Sequence, residues 1–283
     1  MDLALQDKVV WITGASGGIG RALARTFAEE GAWLALHGQR AFAALSSWVA
    51  EQPWRERALL VQGDVSDAAA MERAARAIAT RFGRIDVLAA NAGRWPSEHR
   101  ELFELAPERL RDTLADNLVG ALLSARAFLA ELARSGPRAD GHGAALVFTG
   151  STAGRFGERG HVDYAAAKAG LVGALKTLKN EIVRLDPRGR VNLVEPGWTV
   201  THVERPALEQ PGVVERVVQT MALRQLARAD DVARAVVWLA SPRAAAHVSG
   251  EVVTIAGGME GRMLWSADEL ERAAILRRTR ATD

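Results

Sequence analysis

The stretch KVVWITGASGGIGRALARTFAEEGAWLALH, residues 8–37, carries the reading that decides the fold. VVWIT is a short apolar, β-branched run, a glycine cluster follows it, RALARTFAEEG has helical apolar spacing, and WLALH is a second apolar run. TGASGGIG therefore sits on a strand-to-helix turn. Such a turn is a phosphate site: glycines let the backbone approach an anion closely, and the unpaired N–H groups and positive dipole end of the new helix face it. Gly14, Gly18 and Gly20 form the turn, with Ser16 and Ile19 between them. Their spacing, GxxxGxG, departs from the usual GxGxxG dinucleotide fingerprint.

The same alternation continues along the chain. ALLVQ, IDVLAA, ALVFT, VNLVE and EVVTIA are further candidate strands, and helical patterns lie near 18–30, 41–51, 67–82, 107–134, 163–185 and 229–240. The predicted fold is α/β, a Rossmann-type doubly wound sheet of seven parallel strands with helices on both faces, three layers in all. SGPRADGHG, at 135–143, reads as a surface turn. The stretch 202–227 breaks the alternation. It has Pro206, Pro211 and Gly212 among Leu208, Val213, Val214, Met221 and Leu223, the pattern of a lid with an apolar underside or of a packed excursion that never moves.

Composition narrows the function classes. The chain has 283 residues and 48% apolar content, which fits one catalytic domain over 1–283 with an extension at about 260–283. No apolar run reaches the roughly 20 residues of a membrane span, and MDLALQDK lacks the marks of a signal peptide, so the expected location is the cytoplasm, away from membranes. With no cysteine there is no thiolate chemistry, and the six histidines show no metal spacing, so no metal is expected. The pI of 9.4 belongs to a formal charge of only +2 in an arginine-rich chain where few groups titrate between neutral and high pH. No basic run is interleaved with aromatics, and no nucleic-acid partner is expected.

Tyr164 is the only tyrosine, and it stands four residues before Lys168, one of four lysines. DYAAAKAGLVGALKTL should be helical, which puts both side chains on one face. An ammonium beside a phenol stabilises phenolate and draws its pKa down from about 10, as proton transfer requires. The competing reading is a half-buried tyrosine with a chance lysine on the next turn.

Taken together, TGASGGIG at 13–20, Asp64 in GDV, Asn91 to Gly93, Asn117 in ADNLVG, Ser151 in FTGSTAG, YAAAK at 164–168 and PGWTVT at 196–201 resemble the short-chain dehydrogenase/reductases. The resemblance runs from Lys8 to about Gly258 and is to the shorter, single-domain branch, although Gly17 also fits the TGxxGxxG form of the longer branch. It implies a nicotinamide dinucleotide. Asp64 and Val65 would meet the adenine, Asn91, Ala92 and Gly93 the adenosine ribose side, and Pro196, Gly197, Thr199 and Thr201 the nicotinamide. Asn91 could equally tie neighbouring strands, and Asp64 could cap a turn. The end of the second strand, His37 to Arg40, contains no acid for a ribose 2′-hydroxyl, and Arg40 could pair with a 2′-phosphate, so NADP(H) is favoured over NAD(H).

By the same resemblance, Tyr164 is the proton donor in ketone reduction, and Ser151 hydrogen-bonds the developing oxyanion. Lys168 keeps the phenol acidic and holds the nicotinamide ribose, and Asn117 bends its helix around a proton-passing water. The pattern looks most like 3-oxoacyl-[acyl-carrier-protein] reductases acting on a ketone or acyl thioester. A dehydrogenase of another apolar, cyclic or sugar alcohol is the alternative, and a non-catalytic dinucleotide sensor the alternative of another class. Enoyl reduction is disfavoured, because relatives with that activity space their tyrosine and lysine further apart. Trp95, Phe156 and Trp198 are candidate substrate-pocket aromatics, or simply packed ones. Arg94 and Arg155 could receive an anion or be solvated, and Glu195 has no account. Excess apolar surface on 107–134 and 163–185 points to a homotetramer or dimer. Ser266 and Glu269 form a capping box before SADELERAAILRRTR, a terminal helix that either covers a pocket or packs peripherally.

Overall fold

The computed structural model describes residues 2–201, 208–261 and 265–280. Its strands are β1 (Val9–Ile12), β2 (Trp33–Gly38), β3 (Ala58–Gln62), β4 (Val87–Ala90), β5 (Ala145–Thr149), β6 (Arg190–Pro196), the short β7 (Thr199–Val200) and β8 (Ala227–Arg228), and β9 (Val252–Ile255). Seven of them form one sheet in the order β3-β2-β1-β4-β5-β6-β9, every pair parallel. The expected doubly wound sheet is what the chain builds. Strand order reverses between β1 and β4, so the connections diverge there and leave a crevice at the carboxyl ends of both strands.

The helices are α1 (Gly18–Glu29), α2 (Phe42–Ala50), α3 (Ala68–Phe82), α4 (Pro107–Leu114), α5 (Gly120–Ser135), α6 (Thr152–Phe156), α7 (Val162–Glu181), α8 (Val213–Val218), α9 (Ala229–Ala240) and α10 (Arg272–Arg280). Two apolar cores flank the sheet. One unites Trp11, Leu88, Leu146 and Leu193 with Ile78, Phe128 and Leu171 of α3, α5 and α7; the other unites Val10, Ile12 and Leu36 with Leu23, Phe27 and Val236 of α1 and α9. Strands covered on both faces must be apolar at every position, which is why their sequences run apolar without alternation.

The structure refines several of these expectations. The 107–134 helix is α4 and α5 joined by a π-helical turn, Ala115–Val119. That run, Pro107–Ser135, is in fact long and apolar enough to cross a membrane by length and composition, but its apolar side packs Ala121, Ala125, Phe128 and Leu132 into the core. Within the 202–227 stretch, Pro206 lies outside the described residues, and the described part is packed: Leu208, Val214, Val218, Met221 and Leu226 are buried, whereas Leu223 is exposed. The Ser266–Glu269 capping box opens only a single 3-10 turn, and the terminal helix starts at Arg272.

Candidate active site

The glycine turn lies at the switch point and is held from two sides. Gly14 has φ +66°, and a Cβ there would come within 2.7 Å of the Ala92 Cα after β4, so only glycine lets the two strand ends close. Gly18 presses on the Thr201 side chain and Gly20 on the Gly14 carbonyl. α1 opens at Gly17 with no side-chain cap and no acid in its first turn, and Ser16 and Ile19 are half-buried beside it. That leaves a positive helix end open to an anion.

His37 is a support the sequence reading missed. Its buried ring accepts from the Gly14 N–H at Nδ1 (3.4 Å) and meets the Gly63 carbonyl at Nε2 (3.1 Å), while its own carbonyl accepts from the Ala15 N–H. Burial lowers its pKa to about 4, so the ring is neutral and can accept at Nδ1. Gln39 Nε2 donates to Asp64 (2.7 Å), whose other oxygen receives the Ser66 N–H and hydroxyl. Burial raises the Asp64 carboxyl, but these bonds and the Arg40 charge outweigh it and hold it below the usual range. Arg40 is exposed and Val65 is buried against Gly120. Asn91 donates from its amide to the carbonyls of Thr13 and Gly14, the strand tie anticipated for it.

Tyr164 and Lys168 share one face of α7, with Lys168 Nζ 5.5 Å from the phenol ring centroid. Lys168 is buried and donates to the Thr149 carbonyl at 3.0 Å. Among the described residues no carboxylate pairs with it, and burial lowers its pKa to about 8. Gly154, another position missed in the sequence, lets α6 press onto α7: a Cβ there would meet the backbone of Lys168 and Ala169 at 2.8 and 2.7 Å. Ser151 is the N-cap of α6, and its hydroxyl accepts from the Ala153 N–H.

Asn117 is fully buried in the π turn. Its amide donates to the carbonyls of Arg94 and Thr113, and its Oδ1 accepts from the Arg94 N–H, each at 3.0 Å. A Cβ on Gly93 would stand 2.6 Å from Asn117 Oδ1 and 3.1 Å from Lys168 Nζ, so the strand end, the π turn and the ammonium meet at one point. Asp163, buried beside Tyr164, accepts from Arg109 Nε and Thr113 Oγ1, both at 3.0 Å. Burial raises this carboxyl, and the two donors more than reverse that. Trp95 stands edge-on to Tyr164 at 4.8 Å and over His161 at 4.1 Å.

The other side of the crevice is formed by the end of β6. Pro196 ends that strand, Gly197 packs on Ala256, and the buried Thr199 donates to the Gly197 carbonyl. Glu195 now has an account: it is buried and its Oε2 accepts from Arg155 Nη1 (3.3 Å) and Thr254 Oγ1 (3.2 Å), tying α6 to β6 and β9. Arg155 is thereby engaged, as is Arg94, which pairs with Asp116 at 3.2 Å. Of the three pocket aromatics, Trp95 meets Tyr164, Phe156 is half-exposed at the end of α6, and Trp198 packs against the Leu208, Val214 and Val218 cluster.

A buried ammonium beside a phenol suits proton transfer, and the uncapped helix start after the glycine turn suits an anion. Comparison with known proteins agrees. A family model described as enoyl-(acyl carrier protein) reductase matches residues 14–260. The 3-oxoacyl-[acyl-carrier-protein] reductase FabG of Escherichia coli is 33% identical over 257 residues, covering 90% of this chain and 98% of that protein. The D-threitol dehydrogenase of Mycolicibacterium smegmatis is 35% identical over 263 residues, covering 91% and 94%. A short chain dehydrogenase from Burkholderia cenocepacia J2315, solved in complex with NADP, superposes with a TM-score of 0.78 at 31% identity, covering 90% of this chain and 98% of that one. The chain belongs to the short-chain dehydrogenase/reductase family and is an oxidoreductase acting on CH–OH groups.

Proposed function

We propose that the protein is an NADP(H)-dependent reductase of a 3-oxoacyl thioester. The observation that carries the chemistry is Lys168, an ammonium buried without a carboxylate and set against Tyr164, Gly93 and Asn117 at the strand switch point. The residues fit a dinucleotide: the uncapped start of α1 suits the pyrophosphate, and the strand end His37 to Arg40 offers a cation and no acid to a ribose phosphate. Ser16, Gly18 and Ile19 would line the pyrophosphate, Asp64 and Val65 the adenine, and Gly93, Pro196, Gly197, Thr199 and Thr201 the nicotinamide side. A reduced nicotinamide held there would supply the hydride that a carbonyl carbon receives.

The protein's part is the proton and the charge. Tyr164 hands its phenolic proton to the carbonyl oxygen as charge develops there, and the Ser151 hydroxyl donates a hydrogen bond to the same oxygen. The Lys168 ammonium stabilises the phenolate left behind and would hold the ribose hydroxyls. By the family resemblance, Asn117 in its widened turn would hold a water that returns the proton by way of Lys168. The i, i+4 spacing of Tyr164 and Lys168 favours ketone over enoyl reduction.

A second reading, a dehydrogenase of a sugar alcohol, is favoured by the likeness to D-threitol dehydrogenase. Following reduced-nicotinamide absorbance with NADPH and NADH against 3-oxoacyl thioesters, cyclic ketones and polyols separates the two. Turnover of the thioesters with NADPH is expected; turnover confined to polyols overturns the thioester reading, and cofactor binding with no turnover of any substrate would leave a sensor. We also propose a homotetramer or dimer, supported by Val119 and Leu122, which stay exposed at and beside the start of α5. A stable monomer in light scattering would remove that inference.

A further inference from the structure

The family match ends at residue 260, yet the chain beyond it is built into the molecule. Just inside that limit Leu223 N–H donates to the Gly257 carbonyl (2.8 Å) and Glu260 N–H to the Thr220 carbonyl (3.3 Å); beyond it Trp265 N–H donates to the Gln219 carbonyl (3.3 Å). The Trp265 indole N–H donates to the Met221 carbonyl at 2.6 Å, and the Arg224 guanidinium lies over the Trp265 ring at 3.8 Å. Arg272 Nη1 bridges both carboxylate oxygens of Glu215 at 3.1 Å, and its Nη2 donates to the Leu208 carbonyl. Every one of these contacts lands on the 208–226 flap.

The apolar contacts agree. Leu270 and Ile275 complete a cluster with Leu208, Val214, Val218 and Leu226, against which Trp198 and Val200 pack. Trp198 directly follows Pro196 and Gly197 at the end of β6, and on the opposite wall Gly261 sits against the Phe156 ring of α6. The segment after residue 260 therefore meets α6 directly through Gly261 and shares one apolar cluster with Trp198 and Val200 after β6.

We infer that the C-terminal segment is a clasp that presets the flap for substrate, with Trp265 and Arg272 as positioning residues that lower KM for the carbonyl compound without touching it. A flap already ordered in the free enzyme loses less conformational freedom when substrate arrives. The clasp acts on binding and leaves the proton-transfer groups where they are. This inference depends on the crevice but not on which ketone enters it.

The test uses the full chain carrying Trp265→Ala and Arg272→Gln, with Arg272→Gln alone as the milder variant. Hydrogen exchange across 208–226 should quicken on the order of tenfold while β1, β4 and β5 keep their protection. With whichever ketone is turned over, KM should rise about tenfold, with kcat and the dinucleotide KM within about twofold. The charge swap Glu215→Arg with Arg272→Glu should recover part of the loss. Unchanged flap exchange, or faster exchange with unchanged KM, would show peripheral packing and overturn the inference. So would exchange quickening throughout the sheet, which marks general fold support. The exchange arm needs no substrate, so a wrong thioester assignment leaves it intact.

Discussion

The two ends of the sheet treat charge in opposite ways. At the amino ends of the strands Lys8 and Asp86 are matched by counter-charges, and the buried Arg190 is held by three carbonyls, of Leu239, Ala240 and Ser241. Asp86 receives the Val9 N–H, Arg84 and Arg138, and Asp140 receives Lys8 and Arg138. At the carboxyl ends Lys168 is buried and donates to the Thr149 carbonyl, with no carboxylate paired to it among the described residues, and α1 presents an uncapped terminus. One end has its charges answered within the protein; the other keeps a buried ammonium and an open helix start. Stability and function are thus concentrated at different ends of the same strands.

The sharpest way to break that contrast is at the ligand end. Tyr164→Phe should lower kcat by about a thousandfold or more while dinucleotide binding, followed by fluorescence quenching, stays the same. Substantial residual ketone reduction would contradict the assignment. At the opposite end Asp86→Ala should cost about 3–5 kcal/mol in denaturant unfolding, because it leaves Arg84 and Arg138 without their shared acid, and kcat of the folded fraction should not change. A matching loss of turnover would mean that the two ends are not separate.

Lys168→Met sharpens the comparison by reversing the usual sign. Burial holds the folded pKa at about 8, below the ordinary lysine value, so near neutral pH the folded state bears the cost of the buried ammonium. The variant should be inactive yet more stable by about 1–3 kcal/mol without cofactor, seen as a raised Tm. His37 gives a pH signature. Its folded pKa of about 4 lies below the unfolded value of 6.5, so the unfolded chain binds the extra proton, and stability falls as pH drops from about 6.5 towards 4. The loss should be about 3 kcal/mol at most, and His37→Asn should flatten it in acid-denaturation curves. The smallest effect belongs to Arg40: Arg40→Ser should raise the NADPH KM about tenfold and leave the NADH KM alone.

How much was legible in the sequence follows the range of the interactions. The strands, the glycine turn and the Tyr164–Lys168 pair are local patterns, and each was found where the spacing put it. Missed features depend on distant partners: His37 is ordinary until Gly14 and Gly63 fold around it, and Gly154 matters only because α6 rests on α7. Glu195 had no reading because Arg155 and Thr254 reach it from 40 and 59 residues away. The π turn at Asn117 was foreseen as a bend, but its geometry is set by Arg94 and Thr113. The lid reading of 202–227 underrated its packing, since half of the apolar cluster that fills it comes from beyond residue 260 or before residue 201.

Because Tyr164 is the chain's single tyrosine, the proposed proton donor can be labelled without mutation. Biosynthetic replacement by fluorotyrosine would give one fluorine resonance, from the ring wedged between Trp95 and Lys168. Its chemical shift, followed through a titration, would report the ionisation of that one hydroxyl directly, where the eight tryptophans would obscure an ultraviolet measurement.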